Sequence, residues 1–178
     1  MDKKNSKNAK LAKLTRALIS VSDKRNLEIL GKYLVSCGVK IVSTGGTASF
    51  LRDKNFPIND VSEVTGFPEM MDGRVKTLHP RIHGGILFRR NKPSDLQELR
   101  HHAISEIDLV VVNLYPFRKA VFSGKNYSDC IEEIDIGGPA LIRAAAKNYE
   151  NVCVIVDPDD YNDLIKELKN NDGKVSKS

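Results

Sequence analysis

The sequence predicts an α/β fold in three layers, in which a mostly parallel sheet is flanked by helices. Between residues 16 and 169, short apolar runs alternate with amphipathic stretches, which is the pattern of a parallel sheet covered by helices. The run DLVVVNL at residues 108–114 is apolar through its centre, as expected of a strand that is buried on both faces. With 178 residues, 40% of them hydrophobic, the chain is long enough to bury one core without disulfides or metals.

The first half of the pattern predicts two β-α units. ALISV at residues 17–21 is a compact strand, and Ser22 is the expected N-cap of a helix in which leucines recur at helical spacing until Gly38. VKIVS at residues 39–43 predicts a second strand. The turn TGGT at residues 44–47 then leads into a second helix that ends before a proline.

The second half is less regular. Residues 65–90 hold glycines and prolines in close succession and predict a long functional loop. Residues 96–104 predict a helix, and residues 108–114 a central strand. VCVIV at residues 152–156 predicts the last strand, and Pro158 is expected to start the last helix.

The formal net charge of +5 is concentrated at the N-terminus, where the first 14 residues hold five lysines and one aspartate. They contribute +4 of the total, so the basicity belongs to a tail and gives little support for nucleic-acid binding. We predict a disordered basic tail over residues 1–14, a folded domain over 15–169 and a polar tail over 170–178. A basic amphipathic or transit-type helix is the alternative for the first segment.

The cysteines and histidines do not suggest a disulfide framework or a metal site. Cys37, Cys130 and Cys153 are widely spaced in apolar contexts, so we expect reduced, buried thiols. His79 and His83 have the spacing of a zinc pair, but no cysteine or carboxylate lies near them in sequence. The sequence also lacks an apolar run of about 18 residues, so we expect no membrane span and a cytoplasmic location.

Two turns after the first two predicted strands have the composition of anion sites. SVSDK at residues 20–24 gathers hydroxyls, a lysine and the free N–H groups of a helix N-terminus. TGGT at residues 44–47 offers glycines that let a phosphate approach the backbone and threonines that donate hydrogen bonds. A lone Gly-Gly turn is more often structural, but two such turns at neighbouring strand ends favour phosphate binding.

Further polar residues are expected at the same edge of the sheet. RVKTLHP at residues 74–80 places Arg74 and Lys76 on one side of an extended segment, where they suit a charged ligand, although a solvated loop is the alternative. Asn113 and Tyr115 end the predicted central strand, either as ligand contacts or as an ordinary strand end.

IDIGGPALIRAAAKNY at residues 134–149 sets Asp135 and Lys147 at the two ends of an apolar, helix-forming run. Isolated charged residues of this kind are typical of catalytic or ligand-binding sites. Twelve residues of unbroken helix would separate them by roughly 18 Å along the axis. We therefore predict that the helix starts at Gly137-Gly138-Pro139, and that the two residues meet by folding back of the preceding loop or act on different parts of one substrate.

Taken in order, SVSDK, STGGT, TGFPEMMDGRVKTLHPRIHGG, NLYPF and IDIGGPALIRAAAKN resemble the IMP cyclohydrolase domain of the bifunctional purine-biosynthesis proteins that also carry an AICAR formyltransferase domain. The resemblance implies a methylglyoxal-synthase-like fold and a homodimer. It also implies closure of 5-formamidoimidazole-4-carboxamide ribonucleotide, a phosphorylated purine precursor, to IMP with loss of water and without metal or organic cofactor. The formyltransferase domain would lie outside this chain.

The resemblance also implies residue roles. Lys147 would transfer protons, Asp135 would orient or deprotonate the substrate amide, and backbone N–H groups near Gly137 would stabilise an oxyanion. The remaining expected substrate contacts are Ser20, Ser22, Asp23, Lys24, Thr44, Gly45, Gly46, Thr47, Arg74, Val75, Lys76, Thr77, Val112, Asn113, Tyr115, Ile136 and Gly137.

Other functions stay open at this stage. GxSxG, Walker and GxGxxG motifs are absent, which argues against common hydrolase, nucleoside-triphosphatase and dinucleotide-binding functions. The alternatives on the same fold are a nucleotide-binding or regulatory module without turnover, as in the related allosteric domain of carbamoyl phosphate synthetase, and methylglyoxal synthase activity. Nucleic-acid binding through the basic tail is the weakest alternative.

Overall fold

The computed structural model describes residues 13–176, and in this part of the chain an all-parallel sheet of five strands forms the middle layer. The strands are β1 (Arg16–Val21), β2 (Lys40–Ser43), β3 (Ile58–Asp60), β4 (Leu109–Asn113) and β5 (Cys153–Ile155). Their order is β3-β2-β1-β4-β5, so β1 is central and the apolar run LVVV lies in an interior strand beside it. The predicted α/β fold is confirmed.

The helices between the strands cover both faces of the sheet. They are α1 (Leu27–Ser36), α2 (Gly45–Asp53), α3 (Val61–Thr65), α4 (Pro80–Leu87), α5 (Pro93–His101), α6 (Phe117–Phe122), α7 (Tyr127–Glu132), α8 (Gly137–Lys147) and α9 (Tyr161–Asn170), with short 3₁₀ turns at Met71–Gly73 and Pro158–Asp160. Within residues 13–176 none of these helices combines the length and the apolar character that crossing a membrane requires.

Two apolar cores separate the three layers. Alternate side chains of a strand point to opposite faces, so Ile19 of β1 joins one core and Leu18 joins the other. The first core packs the sheet against α1 and α9, and the second packs it against α4 and α8. All five strands run the same way, so their carboxyl ends form one edge, where the connecting turns gather.

Two local predictions differ from the structure. Helix α1 begins at Leu27, after Asn26 in the left-handed region (φ 59°), and Ser22 does not cap it. The loop predicted over residues 65–90 contains α4, which begins at Pro80 and is capped by the Nδ1 atom of His79. The glycines suggested a break in the chain, but they lie inside α4. Glycine is required at position 85 because a Cβ there would collide with the Ser105 carbonyl.

The domain is wider than the predicted residues 15–169. Leu14 and Val175 are only 4% and 6% exposed and belong to the first core. The N–H of Leu14 also donates to the carbonyl of Gly173 at 3.1 Å, so these flanking segments pack on the domain. Residues 1–12 lie outside the described part, and the basic tail stays a prediction there.

The three cysteines are free thiols, as expected, but they are less buried than the sequence predicts. Cys37 is exposed, and Cys130 and Cys153 are partly buried. Burial raises the pKa of Cys153 to about 12.

A buried carboxylate ties together the N-terminal ends of β1 and β4. Asp108 accepts hydrogen bonds from the N–H groups of Thr15 and Arg16 and from the Thr15 hydroxyl, and it pairs with Arg90. The Asp108 side chain is 3% exposed and that of Arg90 is 18% exposed. The contact lies at the sheet edge opposite the carboxyl ends of the strands.

We expect Asp108→Ala to lower the free energy of unfolding by about 3–5 kcal/mol, because it removes the buried partner of Arg90 and the acceptor of the Thr15 and Arg16 N–H groups. Within the described residues, Arg90 would keep only the more exposed Glu106 as an ion-pair partner, at 3.7 Å. Urea denaturation measures this loss. The control is Asp163→Ala, which removes an exposed pair with Lys166 and should cost less than about 1 kcal/mol. Equal losses in the two variants would contradict the structural role of Asp108.

Candidate active site

A cavity of about 500 Å³ opens at the carboxyl edge of the sheet. Its walls come from the turns after β1 and β2, the loop at residues 72–78, the end of β4 and the start of α8. This is the edge at which ligands of open parallel sheets bind, and the volume lies in the usual range for small-molecule sites.

The N-terminus of α2 forms one wall of the cavity. Thr44 is extended and Gly45 is left-handed (φ 55°), so the first-turn N–H groups of the helix have no partner within it. A Cβ on Gly46 would meet no atom within 4 Å, which shows open space in front of this turn. The Thr47 hydroxyl is buried and bonded to the N–H and carbonyl of Val21, so it fastens the turn to β1.

The loop after β1 is shaped by Asn113. Its Oδ1 atom accepts hydrogen bonds from the N–H groups of Ser22 (2.7 Å) and Asp23 (2.8 Å), and its Nδ2 atom donates to the Asp23 carbonyl (2.9 Å). Lys24 extends beside this loop, with Nζ 3.3 Å from the Ser22 carbonyl, and makes no ion pair within the described residues. Its charge is therefore available to an anion in the cavity.

The Asp23 carboxylate does not reach the cavity. It accepts hydrogen bonds from the backbone N–H and the Nε atom of Arg25, and the first of these bonds holds the pKa of Asp23 below its ordinary value. The expected contact of the Asp23 side chain with substrate is therefore not supported.

The loop that carries RVKTLHP adds two cations to the cavity. The Nζ atom of Lys76 lies 2.9 Å from the Oε1 atom of Glu69 and 3.1 Å from a Cβ built on Gly45, so it lies over the start of α2. Arg74 pairs with Glu132 of α7, and this hydrogen bond lowers the pKa of Glu132. Both cations line the cavity, although the segment is a tight turn and not the extended strand that we expected.

The start of α8 forms the third wall. The helix begins at Gly137, as predicted, and the Oδ1 atom of Asp135 accepts a hydrogen bond from the N–H of Gly138 at 2.8 Å. A Cβ on Gly137 would lie 2.9 Å from the Thr77 hydroxyl oxygen. Two helix N-termini, those of α2 and α8, therefore face the same cavity.

The structure does not bring Lys147 to this cavity. Lys147 is exposed and is the last residue of α8, about 15 Å along the axis from Gly137. A continuous helix therefore separates Lys147 from Asp135 in the single chain, and their action on one substrate stays a prediction. A role for Lys147 at such a cavity would require contact with another molecule.

The other predicted site residues divide clearly. Those that line the cavity are Ser20, Ser22, Lys24, Thr44, Gly45, Gly46, Thr47, Arg74, Lys76, Thr77, Asn113, Tyr115, Asp135, Ile136 and Gly137. Two predicted residues, Val112 and Val75, do not line the cavity. Val112 is buried within β4, and the backbone of Val75 pairs with that of Met70. Within residues 13–176 no group of three or more His, Cys, Asp or Glu side chains is arranged to hold a metal ion.

Sequence reasoning missed part of the lining. The additional residues are Val21, Asp72, Gly73, Leu78, Ile131, Glu132, Ile134 and Gly138. Asp72 and Gly73 directly precede RVK, and that proximity was the available signal for them. Glu132 lies in a short polar helix, and nothing in its sequence context places it opposite Arg74.

Fold and cavity together define an α/β domain with a polar, cation-lined pocket at the carboxyl edge of a parallel sheet. A family model described as "MGS-like domain" matches residues 26–140. The chain belongs to this MGS-like family, in agreement with the predicted fold. A second model, "AICARFT/IMPCHase bienzyme", matches residues 145–178.

Relatives with curated names agree with the resemblance drawn from the motifs. The chain is 59% identical over 161 residues to the bifunctional purine biosynthesis protein PurH of Ruegeria sp. (strain TM1040), which covers 90% of this chain and 30% of the relative. It is 52% identical over 165 residues to the PurH of Brucella ovis, with 93% and 31% covered. The chain thus spans about 30% of the length of these relatives.

A solved structure is similar over most of both chains. The protein described as "Crystal structure of ForH" superimposes with a TM-score of 0.79 and 39% sequence identity. The match covers 89% of this chain and 80% of that one.

Gly138 is the position in the cavity wall where a side chain fits least well. A Cβ there would collide with the Oδ2 atom of Asp135 and lie 2.6 Å from a methyl carbon of Leu114. We expect Gly138→Ala to lower the free energy of unfolding by about 1–3 kcal/mol, as overpacking does, measured by urea denaturation. Gly46→Ala is the matched control, with open space around its Cβ and an expected change within about 0.5 kcal/mol. A stable Gly138→Ala variant would show that α8 does not need this close approach.

Proposed function

We propose that this chain binds 5-formamidoimidazole-4-carboxamide ribonucleotide and closes its ring to IMP with loss of water. The observation that carries the proposal is the convergence of two helix N-termini, cationic side chains and the Asp135 carboxylate on one cavity. The names of the relatives, bifunctional purine biosynthesis proteins, support the same pathway. The chain spans only about 30% of those relatives, and formyl transfer is not proposed for it.

The phosphate group of the substrate fits the wall formed by α2. Free N–H groups at a helix N-terminus and the positive end of the helix dipole favour an anion there. Lys24 is the nearby cation without an ion-pair partner in the described chain, and Ser22 adds a hydroxyl at the same rim. We therefore assign this wall to the phosphate.

The reaction requires proton transfer at defined atoms. The carboxamide nitrogen attacks the formyl carbon, a C–N bond forms, and the formyl oxygen becomes the hydroxyl of a carbinolamine after a proton moves from nitrogen to oxygen. The hydroxyl then leaves as water with a second proton, while the former formamide nitrogen loses its hydrogen and a C=N bond forms. The overall change is the loss of one water molecule.

Two groups in the cavity suit these steps. Asp135 keeps its Oδ1 atom on the Gly138 N–H, and its Oδ2 atom can accept a proton from the carboxamide nitrogen and pass it to the formyl oxygen. The N–H of Gly137, the first residue of α8, can stabilise negative charge on that oxygen, whereas the N–H of Gly138 is held by Asp135 and Pro139 has none. Lys76, whose ammonium lies over the start of α2, serves the phosphate together with Lys24.

We expect the purified chain to convert the formamido ribonucleotide to IMP, measured by absorbance. Asp135→Asn should lower kcat by about 10²-fold or more, the usual contribution of a general base, and Lys76→Gln should mainly raise KM, because it removes a cation from the wall assigned to the phosphate. The control is Lys40→Gln, which removes an exposed lysine outside the cavity. Full activity in both cavity variants would refute these roles.

Nucleotide binding without turnover is the second candidate. It is favoured by the position of Lys147, which the structure places outside the cavity of its own chain. Calorimetric titration with IMP and the absorbance assay together identify this candidate. A binding module would bind IMP in the titration and show no conversion in the absorbance assay.

We also propose that the chain forms a homodimer through the segment that contains α6 and α7. In α6 only Ala120 is buried, and in α7 no residue is buried. The exposed apolar side chains of this segment that do not line the cavity, here called the α6–α7 face, are Leu114, Phe117, Val121, Phe122 and Tyr127. A concentration of exposed apolar side chains in one segment is typical of interaction sites.

The charges around the α6–α7 face favour a second copy as its partner. Helix α6 carries Arg118 and Lys119, and α7 carries Asp129, whereas Glu132 of α7 pairs with Arg74 of its own chain. A twofold axis would place α6 of one copy against α7 of the other, which pairs opposite charges around the apolar centre.

We expect the chain to have the mass of a dimer in light scattering, and the double variant Phe122→Ser, Tyr127→Ser to have the mass of a monomer, because these side chains are 81% and 83% exposed in the single chain. Ile29→Ser, at an exposed apolar residue of α1, is the control and should stay dimeric. A monomeric wild type would refute the proposal.

A further inference from the structure

Both cations of the RVKTLHP loop have carboxylate partners within the protein. Glu69 lies 2.9 Å from the ammonium of Lys76, and Glu132 pairs with the guanidinium of Arg74. Lys24, on the α2 side, has no such partner within residues 13–176. The cations of the cavity therefore differ: Arg74 and Lys76 are paired with carboxylates, and Lys24 is not paired with one in the described residues.

The Arg74–Glu132 pair spans the mouth of the cavity. Arg74 belongs to the loop after the Met71–Gly73 turn, whereas Glu132 is the last residue of α7, and both line the cavity from different sides. No other ion pair joins these two segments in the described part of the chain. It is the charged contact that fixes the loop to α7.

The loop on one side of this pair has an unfavourable backbone. Met71 (φ 53°) and Asp72 (φ 52°) are left-handed although neither is glycine, and Gly73 (φ 88°) follows. Such conformations are costly and persist where surrounding contacts hold them, often in segments that switch between states. Here the contacts are the backbone pairing of Met70 with Val75 and the two ion pairs.

The Arg74–Glu132 pair is weak enough to be exchanged for a ligand, because its side chains are 63% and 57% exposed and exposed ion pairs contribute little to stability. The Lys76–Glu69 pair is more buried, with side chains 27% and 42% exposed. A phosphorylated or otherwise anionic ligand offers charge-assisted, bidentate hydrogen bonds that are stronger. A carboxylate that stayed beside such a ligand would repel it.

We propose that Glu69 and Glu132 form a ligand-displaceable latch. They hold Lys76 and Arg74 and fasten the loop to α7, and an anionic nucleotide displaces them when it takes over the two cations. The nature of the ligand rests on the proposed function, but the fastening of the loop does not.

Binding of IMP, measured by calorimetry, tests the displacement. We expect Glu69→Gln and Glu132→Gln to tighten IMP binding by about twofold to fivefold each, the scale of an exposed ion pair that no longer competes. Glu133→Gln is the matched control, because it removes the next carboxylate of the chain and its pair with Lys125 but does not line the cavity. Unchanged or weaker binding in both latch variants, or equal tightening in the control, would overturn the proposal.

Amide hydrogen exchange without ligand tests the fastening separately. We expect Glu132→Gln and Arg74→Gln to speed exchange in residues 70–75, where backbone hydrogen bonds such as Gly73 N–H to Met70 carbonyl close the turn, and to leave α5 unchanged. Unchanged exchange at residues 70–75 would overturn the latch even if IMP binds. If IMP does not bind the wild type, the proposed function fails, and the exchange result still decides whether the latch exists.

Discussion

The arrangement of the cavity depends on how closely the start of α8 approaches its neighbours. The Asp135 carboxylate turns back onto the Gly138 N–H, the Leu114 side chain fills the space beside it, and the Thr77 hydroxyl lies against Gly137. Side chains at positions 137 and 138 would push these groups apart. Because this contact joins the end of β4, the RVKTLHP loop and α8, it fixes the position of the carboxylate and of the helix N-terminus at once.

The α2 side of the cavity is built differently. Its geometry follows from buried hydrogen bonds of Thr47 and Asn113 to the backbone after β1, and these contacts hold whether or not a ligand is present. The loop side depends on exposed ion pairs and on a left-handed turn. The side that is held by buried hydrogen bonds is therefore more rigid than the side that is held by the loop.

The sequence was sufficient to predict the layers of the fold and most of the cavity. Apolar runs such as LVVV identify strands because a strand buried on both faces must be apolar throughout, and polar turns after such strands meet at one edge of a parallel sheet. Helix α4 was missed because its glycines indicated a loop. At Gly85 the glycine is needed for close contact with the Ser105 carbonyl, and that contact cannot be predicted from the neighbouring sequence. The position of Lys147 outside the cavity of its own chain was not predicted, because it depends on the direction of α8, which the residue pattern does not contain.

Helix α7 connects the proposed assembly with the proposed latch. It has no buried residue of its own within the described chain, yet it carries Glu132, which pairs with Arg74 at the cavity mouth. A second copy packed on the α6–α7 face would fix α7, and with it the point to which the loop is fastened. The ease with which a ligand displaces Glu132 would then depend on how firmly α7 is held. Assembly and ligand binding would be coupled through this short helix, and by thermodynamic linkage an IMP molecule that releases the latch would also change the stability of the dimer.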